Sequence, residues 1–263
     1  MSNGESDKIG AMRRREFLRL ALGSAAALAL PGGAARTALA MTARANNMIF
    51  ALVDHGPGAN PRPTALRRMA WELTRRTSIA AELESVLIRP EDPRLFYHPF
   101  LVLAGEDGFP LPGDAGLSNL RRHLTYGGML LVDSTEGGEG SPFDRSVRSL
   151  LEKVLPGRPL RPIPRDHVIY KSFYLLDGPS GRIIRQPYLA GVQIDDRFGV
   201  IYSLNDLLGA WARDDLGMWE LEVEQRQREM AFRLGVNLAM YSMCLDYKDD
   251  QVHIPFILKR RRS

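Results

Sequence analysis

Uninterrupted apolar runs alternate along this chain with stretches whose apolar residues recur at helical spacing. Met48-Ile49-Phe50-Ala51-Leu52-Val53 runs straight into Asp54-His55-Gly56-Pro57, the pattern of a buried strand opening into a loop. A helix is expected next, with Thr64 as its cap and Leu66, Met69, Ala70 and Leu73 on one face. Ser85 to Ile88 reads as a short strand, and Pro99 to Ala104 as a longer one broken by Gly105-Glu106-Asp107-Gly108. A second helix, starting at Asp114 or Ser118, turns Leu117, Leu120 and Leu124 inward and stops at Gly127-Gly128. Met129 to Val132 is the next strand, leading into Asp133-Ser134-Thr135, and Phe143 to Leu155 is helical again.

Strands apolar on both faces, each followed by an amphipathic helix, predict an α/β domain with a mostly parallel sheet covered by helices on both sides. In such sheets ligands gather where the strands end, so Asp54, His55, Gly105, Glu106, Asp133, Ser134 and Thr135 are expected along one rim. The same Asp and Gly residues also suit tight turns, and for Glu106 and Asp107 that plainer reading is preferred. Further on, 191–194 and 197–202 read as a hairpin around Asp195-Asp196, and Asn205 or Asp206 as the cap of another helix. A final helix carries an apolar stripe at 230, 234, 238, 241 and 245, on which Cys244 is expected to pack as a small apolar residue.

Ahead of all this, Arg14 and Arg15 precede Phe17-Leu18 and an Ala-rich apolar stretch ending at Pro31. That order is read as a twin-arginine export signal, cleaved after Ala38-Leu39-Ala40 and delivering a folded protein to the periplasm through the twin-arginine machinery. The apolar stretch is too short to span a bilayer. Of the 35 basic and 31 acidic residues, six and three fall before the cut, leaving 29 and 28. The body is then nearly neutral, which removes the electrostatic case for a nucleic-acid partner; a basic tail at 259–263 remains.

Four segments resemble a known family: Phe100 to Gly105, Leu120 to Asp133, the run His167-Val168-Ile169-Tyr170 with Phe173-Tyr174, and the closing Leu234-Gly235-Val236-Asn237 helix. Together they look like the bacterial domain of unknown function numbered 4159, over nearly all of 47–258. The resemblance implies a flavodoxin-like sheet similar to class I glutamine amidotransferases, with no established activity. It also implies an envelope setting, because such genes often neighbour those of MoxR ATPases and von Willebrand factor A proteins.

An amidotransferase needs a cysteine on a strand-to-helix turn, and none follows any strand here. The leading expectation is therefore a noncatalytic domain that binds a ligand or an envelope partner, with no cofactor evident in the sequence. The alternative is a hydrolase using Ser134 and His167, or a metal held by Asp54, His55, Asp133 and His167. His167 and Tyr170 could line a pocket or merely cover the sheet.

Overall fold

The computed structural model describes residues 47–135 and 138–260, without the side chains of 244–260. The leader with Arg14, Arg15, Phe17 and Leu18 lies outside the described residues, as do the side chains of Cys244 and of the basic tail. From Met48 onward the chain forms one compact unit.

Strand alternation assigns each apolar residue to one of two cores. The strands are β1 (Ala51–Val53), β2 (Val86–Ile88), β3 (Phe100–Gly105), β4 (Met129–Ser134), β5 (Arg161–Pro162), β6 (Ala190–Ile194) and β7 (Arg197–Ser203). They form one sheet in the order β2-β1-β3-β4-β7-β6-β5. The first five positions are parallel, and β6 and β5 each run antiparallel to their neighbour, so the sheet is mixed at one side.

The helices are α1 (Ala65–Arg76), α2 (Asp114–Thr125), α3 (Pro142–Val154), α4 (Leu207–Trp211) and α5 (Gln225–Arg260). On one face Phe50, Leu52, Val102 and Leu131 pack with α1, α4 and α5. On the other, Val53, Leu101, Leu103 and Val132 pack with α2 and α3. Both faces being covered is the reason β3 and β4 contain no exposed position.

Local chemistry sets the helix ends. Ser141 caps α3, its hydroxyl accepting from the Asp144 amide at 3.2 Å, and Pro142 takes the first helical position. Thr64 makes no such cap. Its hydroxyl instead donates to the Arg213 carbonyl at 2.7 Å and accepts from the Arg213 amide at 2.8 Å, joining α1 to the segment after α4. The hairpin turns on Asp195, which adopts a left-handed φ of 55°.

The step that places the site is the direction of the crossovers. From β1 the chain moves to β2 on one side and then to β3 on the other, so a topological switch point lies between β1 and β3.

Where β4 and β7 begin, His123 of α2 is 4 % exposed. Burial, followed by the charges of Arg197 and His98, holds its imidazole down to about 4. The unfolded chain takes up that proton below the ordinary histidine value and the folded chain does not. His123 thus contributes stability that is complete above about pH 6.5 and lost as pH falls towards 4, on the order of 3 kcal/mol. Chemical denaturation of the wild type and His123→Gln between pH 7 and pH 4 is expected to show a flatter profile in the variant.

Candidate functional site

At the switch point β1 ends in Asp54-His55, and β3 ends beside it in Ala104-Gly105. The His55 Nε2 lies 2.9 Å from the Ala104 carbonyl oxygen. A carbonyl only accepts, so Nε2 carries the proton and a neutral ring leaves Nδ1 as a bare acceptor. That Nδ1 is buried with no hydrogen-bond partner. The ring leans on Phe109 at 4.5 Å between centroids and is 6.3 Å from Phe143. A Cβ on Gly105 would stand 2.6 Å from Phe143 and 3.3 Å from His55 Nε2, so this close meeting of two strand ends requires glycine.

Beside His55 opens a cleft of about 320 Å³. Its floor is Val53, Leu103 and Leu120, and its mouth carries Asp54, Arg89 and Glu91. Asp54 is partly committed: one carboxylate oxygen accepts from the Gly56 amide at 3.0 Å, and the other lies 3.7 Å from the exposed Arg89 guanidinium. Glu91 accepts from the Gly113 amide at 3.2 Å. An apolar floor with few polar groups at the rim is the usual make-up of a small-molecule site.

The ends of β4 and β7 are arranged differently. Asp133 is fully buried and points away from the cleft, towards α4. Its two carboxylate oxygens accept from the Leu207 and Leu208 amides at 2.9 and 2.8 Å, which ties the end of β4 to the start of α4. Asp206, in a left-handed conformation, accepts from the Gly209 amide and pairs with Arg182 and, at 3.5 Å, with Arg62. Burial and then the Asp206 charge push the Asp133 carboxyl above the usual range, against the pull of the two amide bonds. Asp206 is raised by its own burial, opposed first by Arg182. Thr135 is buried too: its amide and hydroxyl both donate to the Gly105 carbonyl, and its own carbonyl accepts from Arg182. Ser134 is buried on the α2–α3 face, and Glu106 is exposed.

His167 does not join this rim. Its ring packs 5.0 Å from Phe198 and 5.8 Å from Tyr241. Phe198 is the second residue of β7, whereas Ser203 ends that strand beside Asp133. Five residues of strand therefore separate the two ends, on the order of 16 Å. The expected pairing of Ser134 with His167 is not formed, and Asp54, His55, Asp133 and His167 do not converge. Among the described residues no group of three or more His, Cys, Asp or Glu is placed to hold a metal ion. Tyr170 is fully buried, and its hydroxyl accepts from the Leu189 amide at 3.2 Å.

The family model described as a domain of unknown function, DUF4159, matches residues 49–243. The chain belongs to this family. No curated protein matches it. In this DUF4159 chain two of the segments that resemble the family, 167–174 and 234–237, are partners in packing. Asn237, fully buried on α5, accepts from the Phe173 and Tyr174 amides at 3.2 and 2.7 Å and donates to the Ile169 and Tyr174 carbonyls at 3.1 and 2.9 Å. One amide side chain thus satisfies four backbone groups of the His167–Tyr174 segment. His167 adds a local bond, its Nδ1 accepting from the Ile169 amide at 3.2 Å. Gly235 sits where a Cβ would meet Trp211 at 2.5 Å and Met69 at 2.6 Å, so it lets α5 close onto α1 and α4.

Sequence reasoning missed Phe109, Arg89 and Glu91 as cleft residues and Arg182 as the partner of Asp206. Phe109-Pro110-Leu111-Pro112, an apolar segment between a strand end and a helix, was the available signal.

Two outcomes test this account. Asp133→Ala leaves two buried amides without acceptors and is expected to cost about 3 kcal/mol in urea unfolding, with Asp133→Asn costing less because one acceptor remains. Asn237→Ala is expected to cost roughly 3 kcal/mol, and hydrogen exchange should rise first at the Phe173 and Tyr174 amides.

Proposed function

We propose that this chain is an exported binding protein whose noncatalytic α/β domain takes a small ligand, or a short loop of an envelope partner, in the cleft beside His55. The observation that carries the reading is the cleft itself: about 320 Å³ at the switch point between β1 and β3, with an apolar floor and His55 in its wall.

Three features favour binding over turnover. No cysteine follows any strand, Ser134 and His167 stand at different ends of β7, and both oxygens of Asp133 are engaged by α4. The strand order β2-β1-β3-β4-β7 supports the flavodoxin-like and class I amidotransferase-like comparison, with β7 in the fifth position. The Arg14-Arg15 leader supports export through the twin-arginine route to the periplasm, where a partner linked to MoxR ATPases and von Willebrand factor A proteins is the proposed context. Among the described residues no helix is long and apolar enough to cross a membrane.

The test is a thermal-shift screen of small polar metabolites against the purified chain. A stabilising compound is expected to lose its effect in Leu111→Trp, which narrows the mouth, and to weaken about tenfold in His55→Phe, which removes the imidazole nitrogens from the wall. Hydrolysis of an ester, amide or phosphate substrate that disappears in Ser134→Ala would overturn the noncatalytic reading.

A further inference from the structure

On the other side of the sheet from the cleft, α1 and the segment after α4 enclose a second depression of about 380 Å³, with Arg67, Arg68, Trp71, Leu83 and Arg213 in its wall. The two hydrogen bonds of Thr64 to the Arg213 backbone hold its two sides together. Two of its cations, and the buried Arg228 near Arg213, are stacked on aromatic faces. Arg213 lies 3.6 Å and Arg228 3.9 Å from the Trp219 ring centre, while Arg68 lies 4.2 Å from Trp71 and 5.7 Å from Trp219. Like charges therefore crowd: Arg213 is held below the ordinary guanidinium value by burial and then by Arg68, and Arg228 by burial and then by Arg213.

The nearby acids are already engaged, one of them by Arg68 itself. Glu72 is shared between Arg68 and Arg76, Asp214 accepts from the Leu216 and Met218 amides of its own turn, and Arg67 meets Glu84 only in an exposed pair. Asp215 is exposed at the edge of the depression. Meanwhile the Nε–H groups of Arg68 and Arg213 are buried without any acceptor. A charged donor left unmade is costly, and an oxyanion is the group that best answers two guanidiniums at once. Trp71 and Leu83, 39 % and 41 % exposed, add an apolar wall beside those donors.

We propose that this depression is an oxyanion-binding site, taking a carboxylate or phosphate carried on an apolar or aromatic body that lies against Trp71 and Leu83. The site is independent of the cleft beside His55, because the two open on opposite faces of the sheet and share no residue.

The experiment titrates the full-length chain with phenyl phosphate, benzoate, inorganic phosphate and the neutral benzyl alcohol, following tryptophan fluorescence and the arginine Nε–H resonances. Saturable binding of phenyl phosphate or benzoate is expected, at least tenfold tighter than benzyl alcohol, with the Arg68 and Arg213 resonances shifting together. The tighter of the two anions identifies phosphate or carboxylate as the natural group. Arg68→Gln is expected to weaken binding at least tenfold. Leu83→Glu, which sets a negative charge at the exposed wall without disturbing buried packing, should do the same in a chain that unfolds at the wild-type temperature. Equal affinity for benzyl alcohol, no saturation by either anion, or undiminished binding in Leu83→Glu would overturn the proposal.

Discussion

Asp133 is a carboxylate at the end of a central strand, and burying it is tolerable only because two consecutive amides at the start of α4 point at its oxygens. Much of the β4–β7 end follows from that demand. With α4 held against β4, Asp206 is brought close enough to repel Asp133, and Arg182 and Arg62 are drawn in to answer it. Arg182 then reaches the Thr135 carbonyl, closing the rim over β4 and β7 with charge that is internally matched. The rim beside β1 and β3 lacks such a plug. The division between a sealed end and an open cleft is thus set by one residue's need for partners.

The long excursion between β5 and β6 poses a second accounting problem. It has little regular structure beyond one turn of 3-10 helix at Val168–Tyr170, so its amides and carbonyls need partners from outside. Two buried asparagines supply them. Asn237 serves residues 169–174, and Asn205 accepts from the Arg185 and Gln186 amides and donates to the Gln186 carbonyl. An asparagine suits this work because its side chain offers both a donor and an acceptor in one plane, as a peptide does. Two segments that resemble the family, 167–174 and the helix carrying Asn237, are therefore fastened to each other.

The parts of the fold most legible in the sequence were those governed by local periodicity. The runs around Phe100 and Met129 are apolar at every position because both faces of the sheet are covered, and α2 and α3 declare themselves through Leu120, Leu124 and Val147. Thr64 was misjudged because its partner, Arg213, lies far along the chain and no local pattern announces it. The rim residues were gathered correctly as strand ends, yet which ends are sealed depends on side-chain direction and on α4, so Asp133 and His55 looked alike in sequence and differ in role. His167 was offered as a partner of the rim residues or as cover for the sheet, and its packing against Phe198 sets it near the start of β7, away from that rim.

The two outermost strands are short, β2 with three residues and β5 with two, one of them Pro162. Short edges and an edge proline leave few free backbone groups for a foreign strand to pair with. The sheet is in effect hemmed on both sides. A chain of this kind resists growing into fibres by edge-to-edge addition, and it is better suited to recruit other molecules through its loops and helix faces than by lengthening its sheet.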